Sequence, residues 1–371
     1  MLKISIILGT RPEVIKLAPV VHAARTFGHR VKLITTGQHR ELTYPLLKFF
    51  DLQPDLDLDV MTADQSLTGL SERILRGLNQ HSETLKDSDY IFVQGDTVTA
   101  CLGAYWGFYS RIPVAHVEAG LRTYDLGAPF PEEGNRQLIG RISRFHFAPT
   151  LQAAMALEKE GVDPSSIYKV GNTSIDALNW AMVKLGERSL SELSEVPRSV
   201  AEFASQGRFI LLTAHRRESF GPGFEGICEG VLGLLKSQSD IRVIYPVHPN
   251  PQVRDRVRKR LGGHERILLC DPLAYVGFLA LLRAAEVVLT DSGGVQEEAP
   301  TLRKPILVLR EKTERPEGVE AGFSQLVGTH PGTIIKATQA ALKNGLSTKA
   351  SNPYGDGQAS TRMMKILGEN A

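Results

Sequence analysis

Three carboxylates in the first half of the chain have the types and spacing for proton transfer. Asp96 and Glu118 each follow a short apolar run, and Glu132 lies in the proline-rich segment 129–136. Clustered carboxylates raise one another's proton affinity, so one can act as a general acid while another acts as a general base. The pattern predicts chemistry that moves protons on and off carbon or oxygen. The simpler interpretations are solvated surface acids and, for Asp96, a helix cap.

The first apolar run ends in residues that suit an anion. Gly9 permits a tight turn, and Arg11 and Lys16 can face a phosphate near the N-terminus of the next helix. The alternative is a solvated loop and helix face. No Gly-x-Gly-x-x-Gly follows this run, so the usual dinucleotide fingerprint is missing where it would stand.

Groups suited to a diphosphate follow apolar runs in the second half. His215 stands with Arg216 and Arg217, which can surround a diphosphate and stabilise a departing negative charge. A later set of residues also suits a nucleotide. It has a hydroxyl donor, two glycines that let backbone N–H groups approach a phosphate, a carboxylate that can accept hydrogen bonds from ribose hydroxyls, and a further arginine. The alternative for the glycine pair is a plain strand-to-helix turn. The residues of this later set are Ser292, Gly293, Gly294, Glu298 and Arg315.

The elements that must position these residues alternate in type along the chain. Runs rich in Val and Ile alternate with segments of helical period, which predicts βα units, parallel sheets and an α/β fold. Helices are predicted at 12–26 and 357–367. The predicted strands are 3–8, 30–35, 90–93, 113–117, 145–148 and 167–171, and then 209–213, 243–246, 267–269, 287–290 and 305–308.

Two Rossmann-like domains facing a cleft are the predicted architecture, with the polar stretch 186–199 as the linker region. Residues 1–171 and a C-terminal helix at 355–371 form the acid–base domain, and residues 172–354 form the diphosphate-binding domain. Ligands of such sheets bind at the carboxyl ends of the strands. The motifs that directly follow strands are therefore the candidate site.

Composition excludes several classes of partner. The 371 residues carry 43 basic and 41 acidic side chains, a net charge of +2, which lacks the basic surplus of nucleic-acid-binding proteins. Three widely spaced cysteines and ten scattered histidines give neither a disulfide framework nor a metal-ligand spacing, and a reducing, cytoplasmic compartment fits them. No apolar run approaches the length of about 20 residues that a membrane span needs.

Ten ordered motifs resemble those of the non-hydrolysing UDP-N-acetylglucosamine 2-epimerases. They are GTRPE, QGDT, HVEAGLRT, PFPEEGNR, HFAPT, VGNTSIDAL, TAHRRESFG, PVHPNP, TDSGGVQEEAP and TERPEG. The resemblance covers nearly the whole chain. It implies a glycosyltransferase-B-like fold of the UDP-glycosyltransferase and glycogen phosphorylase type, a C-terminal helix that returns to the first domain, and a homodimer. It also implies interconversion of UDP-N-acetylglucosamine and UDP-N-acetylmannosamine for cell-surface polysaccharide synthesis, with no cofactor.

The resemblance also implies a mechanism and roles for residues. UDP is eliminated across C1 and C2 of the sugar to give 2-acetamidoglucal, and re-addition delivers the proton to the opposite face. The residues implied for proton transfer and sugar positioning are Asp96, Glu118 and Glu132, with His215 at the leaving diphosphate. The residues implied for substrate and UDP binding are Arg11, Lys16, Arg136, Phe278, Ser292, Gly293, Gly294, Glu298 and Arg315.

Two departures from the family pattern stand out. Many members have His before Gly-Asp-Thr, whereas this chain has Gln94 next to that motif. Some members bind a second UDP-N-acetylglucosamine as an activator through a Gln-His-Arg-Gln loop and a later Arg-Gln-Thr-Leu. The corresponding segments here, 38–41 and 64–67, read Gln-His-Arg-Glu and Asp-Gln-Ser-Leu. An allosteric site for UDP-N-acetylglucosamine is therefore not carried over from the resemblance.

Other functions share much of this pattern. A 2-epimerase of a modified UDP-sugar, such as a diacetamido uronic acid, and a hydrolysing 2-epimerase that releases free N-acetylmannosamine would need similar residues. A UDP-sugar glycosyltransferase would need an acceptor site and no such carboxylate set. A non-catalytic UDP-sugar sensor would keep the cations and tolerate loss of the acids.

Overall fold

The computed structural model describes residues 1–38, 40–62, 66–214, 222–248 and 250–370, without the side chains of 222 and 252. The chain divides into two compact units. The first unit comprises Met1–Trp180 and Tyr354–Ala371, and the second comprises Ala181–Pro353. The first division falls later than the predicted 171/172, inside a helix, because Trp180 packs against His22, Phe49 and Phe50 of the first unit.

Seven parallel strands form the sheet of the first unit. In spatial order they run β3-β2-β1-β4-β5-β6-β7, which is the Rossmann order with one strand added. The strands are β1 (Lys3–Leu8), β2 (Arg30–Thr35), β3 (Leu56–Asp57), β4 (Tyr90–Gln94), β5 (Val114–Val117), β6 (Phe145–Ala148) and β7 (Ile167–Lys169). The six predicted strands are confirmed, whereas the two-residue β3 is too short to leave a periodic pattern.

Helices connect these strands and cover the sheet. They are α1 (Arg11–Thr26), α2 (Arg40–Phe49), α3 (Leu67–Gln80), α4 (Ser82–Leu85), α5 (Val98–Tyr109), α6 (Glu132–Ile142), α7 (Leu151–Lys159) and α8 (Thr173–Leu185), with a 3₁₀ turn at Pro164–Ser166. The sheet's core is built from buried Val, Ile and Phe side chains such as Ile7, Ile91 and Phe92. Burial on both faces is what a parallel sheet requires.

The second unit repeats the same topology with six parallel strands. They are β8 (Arg208–Thr213), β9 (Ile241–Pro246), β10 (Ile267–Cys270), β11 (Val287–Thr290), β12 (Ile306–Val308) and β13 (Ser324–Leu326). Their order is β10-β9-β8-β11-β12-β13. The five predicted strands are confirmed, and β13 was missed because Ser-Gln-Leu is polar and short.

Seven helices accompany this sheet in the described residues. They are α9 (Arg198–Ala204), α10 (Pro222–Ser237), α11 (Pro251–Leu261), α12 (Tyr275–Ala284), α13 (Gly293–Glu298), α14 (Pro316–Glu320) and α15 (Pro331–Asn344). The prediction of a linker at 186–199 was wrong. This stretch belongs to the second unit, where Leu193 and Val196 are buried and Gly277 of α12 packs against Glu195 O.

The last helix, α16 (Ala359–Glu369), lies in the first unit and contacts α1. Its first N–H groups would be left without partners at a helix start. Asp176 of α8 accepts from Ala359 N at 3.2 Å and from Ser360 N at 2.8 Å. The carboxylate therefore fixes the position at which the chain's end docks. Within the described residues, no helix is both long and apolar enough to span a membrane.

Candidate active site

Glu118 is the most densely bonded of the predicted carboxylates. It directly follows β5, and its φ of 64° lies in a region that side-chain-bearing residues rarely adopt. Lys16 Nζ forms an ion pair with Oε1, Gln94 Nε2 donates to Oε2, and Asn172 Nδ2 donates to Oε1 at 3.2 Å. Helix α1, strand β4 and the start of α8 thus all deliver donors to one carboxylate.

Asp96 lies beside Glu118 because β4 and β5 are neighbours. Gln94 pairs with Val117 in the sheet, so the two carboxylates follow adjacent strand ends. Arg136 Nε and Nη2 lie 2.7 and 2.6 Å from Asp96 Oδ2, and Asn135 Nδ2 donates to the Asp96 carbonyl at 2.8 Å. Helix α6 therefore holds Asp96 with two consecutive residues.

Glu133 is a buried carboxylate whose position sequence reasoning did not assign. It accepts from Thr123 N, Tyr124 N and Gln137 Nε2, and Arg136 Nη1 lies 3.3 Å from its Oε2. Burial alone would raise the pKa of Glu133, but these hydrogen bonds outweigh burial and lower the pKa. Arg136 is thereby anchored by Glu133 on one side and meets Asp96 on the other.

Glu132 differs from the other two predicted carboxylates. It is the first residue of α6 and is half-buried. Among the described residues no hydrogen bond or ion pair reaches its side chain. Its carboxylate is therefore open to contact a ligand, whereas Glu118 and Asp96 are already held by protein donors.

The loop after β1 carries Arg11, which is exposed at the first position of α1. Gly9, which the sequence predicted to permit a tight turn, also meets a packing constraint. An added Cβ at Gly9 would lie 2.2 Å from Thr36 Oγ1 and 2.5 Å from Thr99 Oγ1. Gly9 is required by the close packing of this loop on its neighbours.

Arg40, in a segment where some family members bind an activator, already has protein partners. Its Nη2 lies 2.6 Å from Asp57 Oδ2, and its Nη1 lies 3.2 Å from Asp59 Oδ1. His39, Asp64 and Gln65 of the same two segments lie outside the described residues.

Two histidines of the motifs lie in the core rather than at the site. His116 and His146 are paired on β5 and β6 and are 1% and 2% exposed. Each Nε2 contacts a backbone carbonyl, of Gly95 and Gly140, and each Nδ1 has no partner among the described residues. Burial lowers the pKa of His116 to about 4 and that of His146 to about 3.

These histidines predict acid sensitivity. An unfolded histidine has a pKa near 6.5, so below this pH the unfolded state binds protons that the folded state excludes. The stability provided by each neutral histidine is therefore complete above pH 6.5 and is lost as the pH falls toward 4. We expect about 1.4 kcal/mol lost per pH unit for each histidine in this window. Urea unfolding of wild type and His146→Asn, measured from pH 5.0 to 7.0, gives the free energy of unfolding at each pH. This free energy should fall less steeply with decreasing pH in the variant, and equal pH dependence would contradict the assignment.

In the second unit, Ser292, Gly293 and Gly294 follow β11 and open α13. An added Cβ at Gly294 would meet no atom of the described residues within 4 Å, so packing against these residues does not require glycine there. Glu298, at the end of α13, is buried, and Tyr275 Oη donates to its Oε1 at 3.3 Å. Phe278, one turn after Tyr275 in α12, is half-buried.

Arg315 is held at the start of α14 by a buried acid. Its Nε donates to Glu297 Oε1 at 2.6 Å, and Glu297 is 2% exposed. Thr313 Oγ1 accepts from Arg315 N at 3.1 Å and donates to Gln296 Oε1 at 2.8 Å. The segments after β11 and β12 are thus tied together. Glu297 was not predicted as the partner of Arg315. The available signal was that Glu297 directly precedes the predicted site residue Glu298 in the same motif.

His215 and its neighbours Arg216 and Arg217 lie outside the described residues, so the predicted role of His215 stays a prediction. The described residues include no group of three or more His, Cys, Asp or Glu side chains arranged to hold a metal ion.

Two parallel sheets of Rossmann order in one chain, each with polar residues at its strand ends, define the glycosyltransferase-B-like class of α/β proteins. The family model for UDP-N-acetylglucosamine 2-epimerase matches residues 22–368. The chain belongs to the UDP-N-acetylglucosamine 2-epimerase family, and the resemblance predicted from its motifs is confirmed. It is an enzyme of the isomerase class.

Named relatives match the chain from end to end. It is 45% identical to the UDP-N-acetylglucosamine 2-epimerase of Yersinia pestis over 372 residues, 99% of this chain and 98% of the relative. It is 44% identical to that of Escherichia coli K12, over 100% of this chain and 99% of the relative. A crystal structure of the Neisseria meningitidis UDP-GlcNAc 2-epimerase bound to UDP-GlcNAc is 38% identical, with a TM-score of 0.89 over 99% of this chain and 100% of that one.

Proposed function

We propose that the chain interconverts UDP-N-acetylglucosamine and UDP-N-acetylmannosamine in the cytoplasm, for polysaccharide synthesis at the cell surface. The observation that carries the proposal is the pair of adjacent strand ends where Glu118 and Asp96 are held by Lys16, Gln94, Asn172 and Arg136. The family relationship supports the same substrate.

The chemical difficulty lies at C2 of the sugar, whose proton is barely acidic. In the proposed route a carboxylate removes this proton, the C2–H electron pair forms the C1=C2 bond, and the C1–O bond breaks with its electrons leaving on UDP. The product pair is 2-acetamidoglucal and UDP. Addition of UDP to C1 and of a proton to the opposite face of C2 gives the epimer.

The site divides this work between its residues. Asp96, Glu118 and Glu132 are proposed to transfer protons and position the sugar, since carboxylates fixed near the reacting carbon can act as acid and base. Lys16 and Arg136 fix Glu118 and Asp96. Which carboxylate removes the proton in each direction is not assigned.

The second set of residues is proposed to hold UDP, whose departure leaves negative charge that fixed donors stabilise. Ser292, Gly293 and Gly294 present a hydroxyl and backbone N–H groups, and Glu298 and Phe278 are proposed to contact the nucleoside. The residues proposed to surround the diphosphate are Arg11, His215 and Arg315.

Conversion from both directions tests the proposal. UDP-N-acetylglucosamine and UDP-N-acetylmannosamine, incubated separately with the protein, should reach the same mixture of both, observed by proton and phosphorus NMR. Release of free N-acetylmannosamine would indicate a hydrolysing enzyme. Faster turnover of a diacetamido uronic acid UDP-sugar would indicate a modified substrate, and no change in any of these sugars would refute the proposal.

Gly294 provides a direct test of the proposed UDP position. Gly294→Ala adds a methyl group into space that no atom of the described residues fills, so the free energy of unfolding should be unchanged or higher by up to about 1 kcal/mol. UDP affinity measured by calorimetry should fall at least about tenfold, a loss of about 1.4 kcal/mol. Gly368→Ala in α16 also adds a Cβ with no atom of the described part of the chain within 4 Å, and it should leave UDP affinity unchanged. Wild-type affinity in Gly294→Ala would contradict the placement.

We also propose a homodimer, on the support of the family resemblance. Light scattering during size-exclusion chromatography should give twice the chain mass of 40.7 kDa, and a mass of one chain would refute it.

The cytoplasmic location is supported by the three cysteines, all of them unpaired, because unpaired thiols are usual in a reducing compartment. Cell fractionation tests that location.

A further inference from the structure

Glu13 is a buried carboxylate that the proposed chemistry does not use. It lies in the first turn of α1 and is 0% exposed. Its Oε2 accepts from Gly9 N at 3.1 Å and from Thr10 N at 2.7 Å, and its Oε1 accepts from Thr97 Oγ1 at 2.8 Å. Buried carboxylates are retained only with such partners, because desolvation is costly.

Helix capping explains only part of this arrangement. A capping-box glutamate accepts from the backbone N–H of the N-cap residue, which accounts for the bond from Thr10. A second capping box among the described residues is simpler: Glu192 accepts from Ser189 N and Ser189 Oγ and is exposed. Glu13 in addition reaches Gly9 and the distant Thr97.

Thr97 extends the connection to a second helix. Its Oγ1 donates to Glu13 and accepts from Ala100 N at 3.0 Å, which caps α5. Thr97 directly follows Asp96, and Thr10 directly precedes Arg11. A single carboxylate therefore bonds to the neighbours of a proposed proton-transfer residue and of a proposed UDP-binding residue.

We propose that Glu13 is a positioning residue that ties the loop after β1 to the loop after β4 and so sets where Arg11 and Asp96 stand. The inference rests on the proposed function for the roles of these two residues. The tie itself rests on the three hydrogen bonds.

The tie acts through hydrogen bonds rather than charge. Burial raises the pKa of Glu13 to about 7, against the lowering effect of its hydrogen bonds. Protonating the carboxylate near neutral pH therefore requires little free energy. A glutamine of the same shape can accept both backbone N–H groups through its carbonyl and donate its amide to Thr97. Glu13→Gln should therefore preserve the tie, and Glu13→Ala should break it.

Kinetics with UDP-N-acetylglucosamine separate positioning from general stability. We expect Glu13→Gln to keep kcat within about threefold of wild type, and Glu13→Ala to lower kcat at least about 30-fold and raise KM, since small misplacements of reacting groups cost up to about 100-fold. Thr97→Val should lower kcat with little change in KM, because it releases only the loop of Asp96, and Thr97→Ser should behave like wild type. Glu192→Ala, which breaks the other capping box, should leave both constants unchanged.

Amide hydrogen exchange, followed by mass spectrometry on the same variants, does not depend on activity. In Glu13→Ala, protection should fall together in peptides covering 9–11 and 95–97, and in Thr97→Val it should fall at 95–97. A fall confined to 9–11, or wild-type kcat in both Glu13→Ala and Thr97→Val, would overturn the inference. If wild type fails to convert UDP-N-acetylglucosamine, the proposed function is wrong, and the exchange pattern still decides whether Glu13 ties the loops.

Discussion

Glu118→Gln should lower kcat for UDP-N-acetylglucosamine by about 1,000-fold, within the range of about 100 to 10,000 that positioned acids and bases contribute. The amide cannot take up a proton, and it no longer offers a negative charge to the ammonium of Lys16, which pairs with Glu118. UDP is proposed to bind chiefly through residues of the second unit, so calorimetry should give UDP affinity within about threefold of wild type. Steady-state turnover measured by NMR gives kcat.

A matched control is available in the same unit. Glu160 also pairs with a cation, Arg122, at 2.7 Å, but none of the proposed site residues that the structure describes bonds to it. Glu160→Gln should keep wild-type kcat. Asp96→Asn and Glu132→Gln test the other two carboxylates in the same way. Retained turnover in all three single variants would refute the proposed acid–base role of this cluster.

Arg136→Met should have the largest combined effect on stability and activity. The change leaves Glu133 buried without the Arg136 guanidinium and removes the guanidinium contacts to the Asp96 carboxylate, whereas Asn135 still donates to the Asp96 carbonyl. Breaking a buried pair costs about 3 to 5 kcal/mol, and we expect about 2 kcal/mol because Arg136 retains some exposure to water. Because the Asp96 carboxylate would lose the guanidinium that fixes it, kcat should also fall at least about 100-fold.

Arg122→Met is the matched control for this variant. Arg122 is 2% exposed in its side chain and forms two hydrogen bonds to Glu160, at 2.7 and 2.9 Å. Its loss should lower the urea-unfolding free energy by a comparable amount and leave kcat of the folded protein unchanged. Equal losses of kcat in both variants would mean that Arg136 acts through stability alone.

The sequence predicted the framework of the site well because its signals are local. Val- and Ile-rich runs mark buried parallel strands, and Asp96 and Glu118 were placed by the strands that precede them. The contact between β4 and β5 then follows from the sheet order. The short β3 and β13 left no such pattern.

The partners of the site residues were not predictable in the same way. Asn172 reaches Glu118 from 54 positions away, and Thr97 reaches Glu13 from 84. Such pairs depend on the three-dimensional arrangement of strand ends, which no spacing in one sequence encodes. Histidines are similar: His116 stands in the same motif as Glu118, yet its side chain is buried against the Gly95 carbonyl, because His116 lies within β5 whereas Glu118 follows the strand with a φ of 64°.

Deuterium incorporation at C2 tests the central claim most directly. If UDP is eliminated and re-added with proton exchange at C2, UDP-N-acetylglucosamine incubated with the protein in deuterated water should give UDP-N-acetylmannosamine carrying deuterium at C2, seen as loss of the H2 signal by NMR and a one-dalton gain by mass spectrometry. Product that retains the original hydrogen at C2, or no epimer at all, would contradict the account.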